Sequence, residues 1–107
     1  MHEQVEIGDK NEYIHPICSG IDVHKKKLFA AIHIYDKKNN QVRYITACFT
    51  TFPKGLQEMV NWHIVHGCSE ICMESTGQYW HPPFDAFEKA GLHPVIAHPK
   101  YTKPLKG

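Results

Sequence analysis

Ile17-Cys18-Ser19-Gly20-Ile21-Asp22-Val23-His24-Lys25 is the stretch on which the fold turns. An apolar run closes on a single carboxylate, and the chain becomes basic at once with His24, Lys25, Lys26 and Lys27. That order is expected of a buried strand delivering an acid to its own C-terminal end. A second short apolar run, Ile71-Cys72-Met73, closes on Glu74 and leads into Ser75-Thr76-Gly77. If the two runs are neighbouring parallel strands, Asp22 and Glu74 emerge at the same strand ends, where open α/β sheets bind their ligands.

Working outward, residues 1–13 are polar, acidic and aperiodic. They predict a tail or loosely attached lead-in over 1–14, with the folded domain over 15–107. After the first strand, Leu28, Ala30, Ile32 and Ile34 alternate with Phe29, Ala31, His33 and Tyr35, the period of two of a strand with one strongly apolar face. Asp36-Lys37-Lys38-Asn39-Asn40 reads as a turn, and the β-branched and aromatic run from Val42 to Phe49 as a third strand. The period then changes. Pro53 suits a first helical turn, Leu56, Met59, Val60 and His63 or Ile64 share a face, and Gly67 ends the helix. Its cap is poor, because Phe52 holds the capping position.

Ile71 to Glu74 is the fourth strand. A second helix is expected from about Tyr79 to Lys89, with Pro82 and Pro83 tolerated in its first turn, Phe84 and Phe87 facing the core and Gly91 ending it. His93 to Ala97 gives a fifth strand, broken by His98-Pro99. The order β-β-β-α-β-α-β, a meander followed by crossovers, is that of a mixed α/β sheet of the ribonuclease H-like (RuvC-like) fold. There the first strand is central and pairs with the fourth, which sets Asp22 beside Glu74.

At 107 residues the chain makes one domain with an ordinary small core. With 42% apolar and 21% charged residues it has a globular composition, and no apolar stretch approaches the roughly 20 residues of a membrane span. No membrane association is expected, and Met1-His2-Glu3-Gln4 lacks the basic and apolar regions of a signal peptide, so a cytoplasmic location is expected. Cysteines 18, 48, 68 and 72 form no C-x-x-C pair, and the three that fall inside or beside strands read as reduced core cysteines. The formal charge of +1 hides an acidic start: Glu3, Glu6, Asp9 and Glu12 leave the rest of the chain modestly basic, compatible with a polyanionic partner.

Two carboxylates at adjacent strand ends suit Mg²⁺ or Mn²⁺, hard cations that take oxygen ligands and keep several waters. Two such ions about 3.5–4 Å apart can activate an attacking oxygen and stabilise a leaving one in phosphodiester chemistry. Asp22 and Glu74 are the candidate ligands, against the alternative of strand-end acids capping a turn. A complete two-ion site wants three or four acids, and Asp36, Asp85 and Glu88 are poorly placed to supply them. Lys25, Lys26 and Lys27 are candidates to meet a phosphate backbone, and Thr76 with Gly77 to present a hydroxyl and N–H groups to a phosphate. Tyr79 and Trp80 are expected in the core rather than as a base-stacking platform. Among nine histidines, His63 and His66 lie near Cys68 and Cys72, but Gly67 intervenes and the spacing matches no tight zinc knuckle.

Together the runs Gly20-Ile21-Asp22-Val23-His24-Lys25, Phe52-Pro53-Lys54-Gly55-Leu56, Met73-Glu74-Ser75-Thr76-Gly77-Gln78-Tyr79-Trp80 and His98-Pro99-Lys100 resemble the N-terminal part of the DEDD-type insertion-sequence transposases, the RuvC-like recombinases associated with a bridging RNA. The resemblance covers about residues 17–107. It implies a RuvC-like catalytic domain whose acids bind divalent metal for DNA strand cleavage and exchange, with Asp22 matching the first acid and Glu74 the second. It also implies DNA, a guide RNA and assembly into a homo-oligomer as partners. The family's third and fourth acids usually follow in a basic K-x-D-x-x-D segment, and a separate C-terminal domain carries a serine implicated in catalysis. Neither is in this sequence, so a catalytically inactive fragment is expected. The alternative is a non-catalytic ribonuclease H-like module that binds nucleic acid or sister subunits. An actin-like ATPase or sugar kinase also opens with a G-I-D strand, but follows the Asp with small phosphate-wrapping residues where this chain has His24 and three lysines.

Overall fold

The computed structural model describes residues 2–6, 17–75 and 77–97, the first of these segments through its backbone. Strands β1 (His2–Glu6), β2 (Ile17–Val23), β3 (Lys27–Asp36) and β4 (Gln41–Thr50) precede helix α1 (Pro53–Val65). Strand β5 (Glu70–Ser75), helix α2 (His81–Lys89) and strand β6 (His93–Ala97) complete the order. The strands form one sheet in the order β1-β4-β3-β2-β5-β6. β2, β3 and β4 are an antiparallel meander, whereas β2–β5 and β5–β6 are parallel pairs reached through α1 and α2. This is the mixed sheet expected from the sequence, with β2 central and paired with β5.

One strand was not legible in the residue pattern. His2–Glu6 pairs antiparallel with β4, from His2 opposite Thr46 to Glu6 opposite Val42. Its sequence, HEQVE, has no apolar alternation. An edge strand needs only its main-chain groups to complete the exposed ladder of its neighbour, so side-chain patterning does not announce it.

Alternation in the interior strands decides which side meets the helices. Ser19, Ile21 and Val23 of β2, Leu28, Ala30 and Ile32 of β3, and Ile71 and Met73 of β5 point inward. With Met59 and Val60 of α1 and Phe87 of α2, most of them form the main core between the sheet and both helices. The opposite side, with Gly20, Asp22, Phe29, Cys48, Cys72, Glu74 and Val95, carries no helix among the described residues, and all seven are exposed.

Local chemistry ends each helix. α1 starts at Pro53 with Phe52 as an N-cap that makes no side-chain hydrogen bond. It stops where Gly67 adopts φ +68°, a left-handed conformation glycine enters without a Cβ penalty. On its inner face His63 is buried while Ile64 is 52% exposed, which resolves the alternative left open by periodicity. α2 begins at His81, two residues later than expected, because Gly77–Trp80 form turns first. The prolines fall in its first turn, and Gly91 at φ +83° ends it. Gly55 has a different reason to be glycine: a Cβ there would run into Thr50 Oγ1 and the Thr50 carbonyl.

Candidate metal centre

The parallel pairing of β2 with β5 sets Asp22 directly opposite Glu74, one register step before both strands end. Opposed residues on neighbouring strands lie about 4.8 Å apart and point to the same side of the sheet. Because Ile21, Val23 and Met73 are held in the core, the residues between them must face outward, and both carboxylates are exposed. A shallow cleft of about 300 Å³ lies over the pair, lined by Gly20, Ile21, Asp22, Cys72, Glu74 and Ala97. Small residues make that room. A Cβ at Gly20 would meet nothing within 4 Å, and Ala97 stands opposite Glu74 on β6.

The donor set fits a hard divalent cation. Two carboxylates in an open cleft leave positions for water and for oxygens of a bound substrate, the arrangement Mg²⁺ favours. It is not a closed site, since among the described residues no three His, Cys, Asp or Glu side chains are grouped to hold an ion. Asp36 is engaged within its own turn by the backbone N–H groups of Lys38 and Asn39 and by Asn39 Nδ2. Asp85 lines a groove between α1 and α2 and is not part of the cleft over Asp22 and Glu74. The His63, His66, Cys68 and Cys72 group diverges, with His63 and Cys68 buried and Cys72 exposed on the open face.

His24 sits at the rim, where its Nε2–H donates to Asp22 Oδ2 at 3.1 Å. The same ring meets Phe29 edge-on, with centroids 5.5 Å apart and planes at 80°. Lys25 and Lys26 form the turn between β2 and β3, Lys27 opens β3, and all three are exposed. Their backbone is fixed: His24 N–H donates to the Lys27 carbonyl at 2.9 Å, Thr51 N–H to that of Lys26 at 3.2 Å, and Thr51 Oγ1 to that of Lys25 at 3.0 Å. Thr51 therefore pins the basic turn to the end of β4.

Thr76 lies outside the described residues. Gly77 follows at φ +76°, with the Tyr79 ring 3.9 Å from where its Cβ would stand. Tyr79 is 42% exposed, so it is not the core residue expected. Trp80 is half-buried, stacked on His81 at 3.8 Å and edge-on to Phe84 at 5.5 Å.

Behind the site, Ser19 Oγ and His63 Nε2 are 2.8 Å apart, and His63 Nδ1 is 2.8 Å from the Met59 carbonyl. A carbonyl only accepts, so Nδ1 carries the proton and Nε2 accepts from the serine hydroxyl. This pair ties the strand bearing Asp22 to α1. Sequence reading missed it; the signal was a small polar residue on the inward side of β2 and a histidine on the apolar stripe of α1. Burial is the main reason the His63 pKa falls from 6.5 to about 4; nearby His66 adds to the fall and the Met59 carbonyl opposes it. Burial likewise raises the thiols of Cys18 and Cys72, and that of Cys68 to about 11.

Among curated proteins, none matches the chain by sequence. Solved structures that share its fold include a bacterial and a viral protein. The Thermus thermophilus RuvC structure superposes with a TM-score of 0.59 at 13% identity, over 78% of this chain and 64% of that one. The fowlpox virus resolvase, solved with substrate Holliday junction DNA, gives a TM-score of 0.54 at 16% identity, over 78% of this chain and 60% of that one. The chain thus spans less than two thirds of either. The model of the DEDD insertion-sequence transposases, described as transposase, matches residues 19–106. By that match, which takes in both acids and nearly the whole sheet, the chain belongs to the DEDD transposase family.

Proposed function

We propose that this chain is the N-terminal RuvC-like part of a DNA transposase, and that Asp22 and Glu74 are its contribution to a divalent-metal site for DNA strand cleavage and exchange. The observation that carries the proposal is the register of β2 on β5, which brings these two carboxylates together on an open cleft. Mg²⁺ or Mn²⁺ held there would activate the attacking oxygen and stabilise the leaving one. The protein's own residues do the rest. Asp22 and Glu74 hold and orient the ion, His24 restrains the Asp22 carboxylate, and Lys25, Lys26 and Lys27 draw the phosphate backbone to the strand ends. Thr76, two residues after Glu74 in sequence, is proposed to contact phosphate as well. DNA is the primary partner in this proposal, with a bridging RNA and self-assembly as its extensions.

Two carboxylates hold an ion weakly, so these 107 residues alone are expected to give no cleavage of labelled DNA in Mg²⁺ or Mn²⁺ that Asp22→Asn removes. The direct test is a Mn²⁺ titration followed by backbone NMR in wild type, Asp22→Asn and Glu74→Gln. Broadening around both 22 and 74, weakened by each substitution, is the expected result. Broadening centred on the histidines, or independent responses of the two strand ends, would overturn the shared site and leave a non-catalytic binding module.

A further inference from the structure

Beside the carboxylate pair lies a second cleft of about 370 Å³, lined by His24, Lys25, Lys26, Lys27 and Phe29. We infer that this cleft seats one unpaired nucleotide of single-stranded DNA, its base against Phe29 and His24 and its phosphate on the lysines. The inference rests on the proposed function, because the cleft matters through its position beside the acids.

Among the described residues Phe29 belongs to neither core cluster. Leu28 and Ala30 on either side of it supply the inward face of β3, while Phe29 points outward and is 47% exposed. Its strand partners are Asp22 on one side and the exposed Cys48 on the other. Cys48, Phe29, Asp22, Glu74 and Ala97 therefore form one row across the open face. The ring stands one strand from the first carboxylate and two from the second. His24 is joined to both Asp22 and Phe29, donating to the carboxylate at 3.1 Å and meeting the ring edge-on at 5.5 Å. An exposed apolar ring costs free energy unless something covers it.

What surrounds the ring selects the occupant. Two lysines on a turn held by Thr51 and a third opening β3 attract an anion, and an open aromatic face takes a flat π-system. A nucleotide has both. A base within a duplex is covered by its neighbours, so only an unpaired one can lie on Phe29. The adjacent acids suit phosphodiester chemistry, and a base held here would fix the position of the neighbouring phosphate over Asp22 and Glu74. DNA rather than RNA follows from the strand chemistry proposed for those acids.

The test is binding of a short single-stranded DNA containing 2-aminopurine, of its duplex and of the same-sequence RNA, in EDTA so that no metal contributes. Phe29→Leu should weaken single-strand binding about 5- to 150-fold and leave duplex binding nearly unchanged. Phe29→Trp should retain both binding and the 2-aminopurine quench. Replacing Lys25, Lys26 and Lys27 by Gln should weaken single strand and duplex alike and flatten the log–log salt slope by about two for single strand and about three for duplex. Ring-current shifts of the Phe29 protons in wild type give a second readout, independent of how the variants fold. Unchanged single-strand affinity in Phe29→Leu, or no ring shifts, overturns the base seat while leaving the metal proposal standing. Loss confined to RNA overturns the choice of DNA. Failure of wild type to bind any nucleic acid sinks both the base seat and the proposed function.

Discussion

His63 should make this protein lose stability in mild acid. The ring is fully buried, between Trp62 and Phe87 at centroid distances of 4.9 Å each, and both nitrogens are used in the neutral form. Protonating Nε2 would reverse the Ser19 contact, the hydroxyl turning to accept, and would bury a charge with no carboxylate bonded to it among the described residues. Accordingly its pKa falls from 6.5 to about 4 on folding, chiefly through burial. The unfolded chain then binds more protons between these values, so the contribution is full above pH 6.5, declines as pH falls and levels off near 4. At 1.36 kcal/mol per unit the loss is about 2 kcal/mol by pH 5 and about 3 kcal/mol by pH 4. Urea melts from pH 7.5 to 4.5 should show the midpoint dropping by about 1 M or more across the window, given a slope of about 1–3 kcal/mol/M. The control is Ser19→Ala with His63→Leu, which removes both polar partners together and so avoids stranding one of them. Subtracting its profile from that of wild type isolates this histidine. If both lose stability in parallel below pH 6.5, His63 is not the group responsible and its burial has been misjudged.

Two further outcomes follow from packing. Gly55→Ala, which in an exposed helix would stabilise by about 1 kcal/mol, should here destabilise by about 1–3 kcal/mol, because the new methyl meets Thr50; a melting temperature at or above wild type would contradict that contact. In the native state at pH 8, iodoacetamide should modify exposed Cys48 first, Cys72 and Cys18 more slowly because their thiols are raised, and buried Cys68 last; mass spectrometry of the time course reads the order, and early loss of Cys68 would refute it.

How much of this was legible in advance follows from which forces act locally. Wherever one face of an element is buried, the pattern is written in the residues: β3 reads as a strand because Leu28, Ala30 and Ile32 alternate, and α1 as a helix because Met59, Val60 and His63 recur at helical spacing. The acids were legible because a single carboxylate closing a short apolar run marks the place where a buried strand reaches water. Main-chain and tertiary features were not. β1 is held by backbone pairing and Thr51 reaches 26 residues back to Lys25, neither with a local signature, while Ser19 and His63 are each marked only as a polar residue on an inward face and meet across 44 residues. Phe29 was seen only as the alternate position of a strand, since exposure on an uncovered sheet face depends on where both helices fall.

The same residues that make the core also aim the site. A strand's side chains alternate strictly, so slipping β2 by one residue against β5 would turn Asp22 into the core and Ile21 or Val23 out to water. Burial of Ile21 and Val23 on β2 and of Ile71 and Met73 on β5 penalises that slip by several apolar side chains at once. The Ser19–His63 bond adds a directional check, because only one register brings that hydroxyl to the ring. Asp22 and Glu74 can thus stay exposed and lightly restrained, as an ion site open to substrate requires, while their relative position is set from behind the sheet. A substitution at Ser19 or His63 should for this reason disturb the Mn²⁺ response at 22 and 74 without touching either carboxylate.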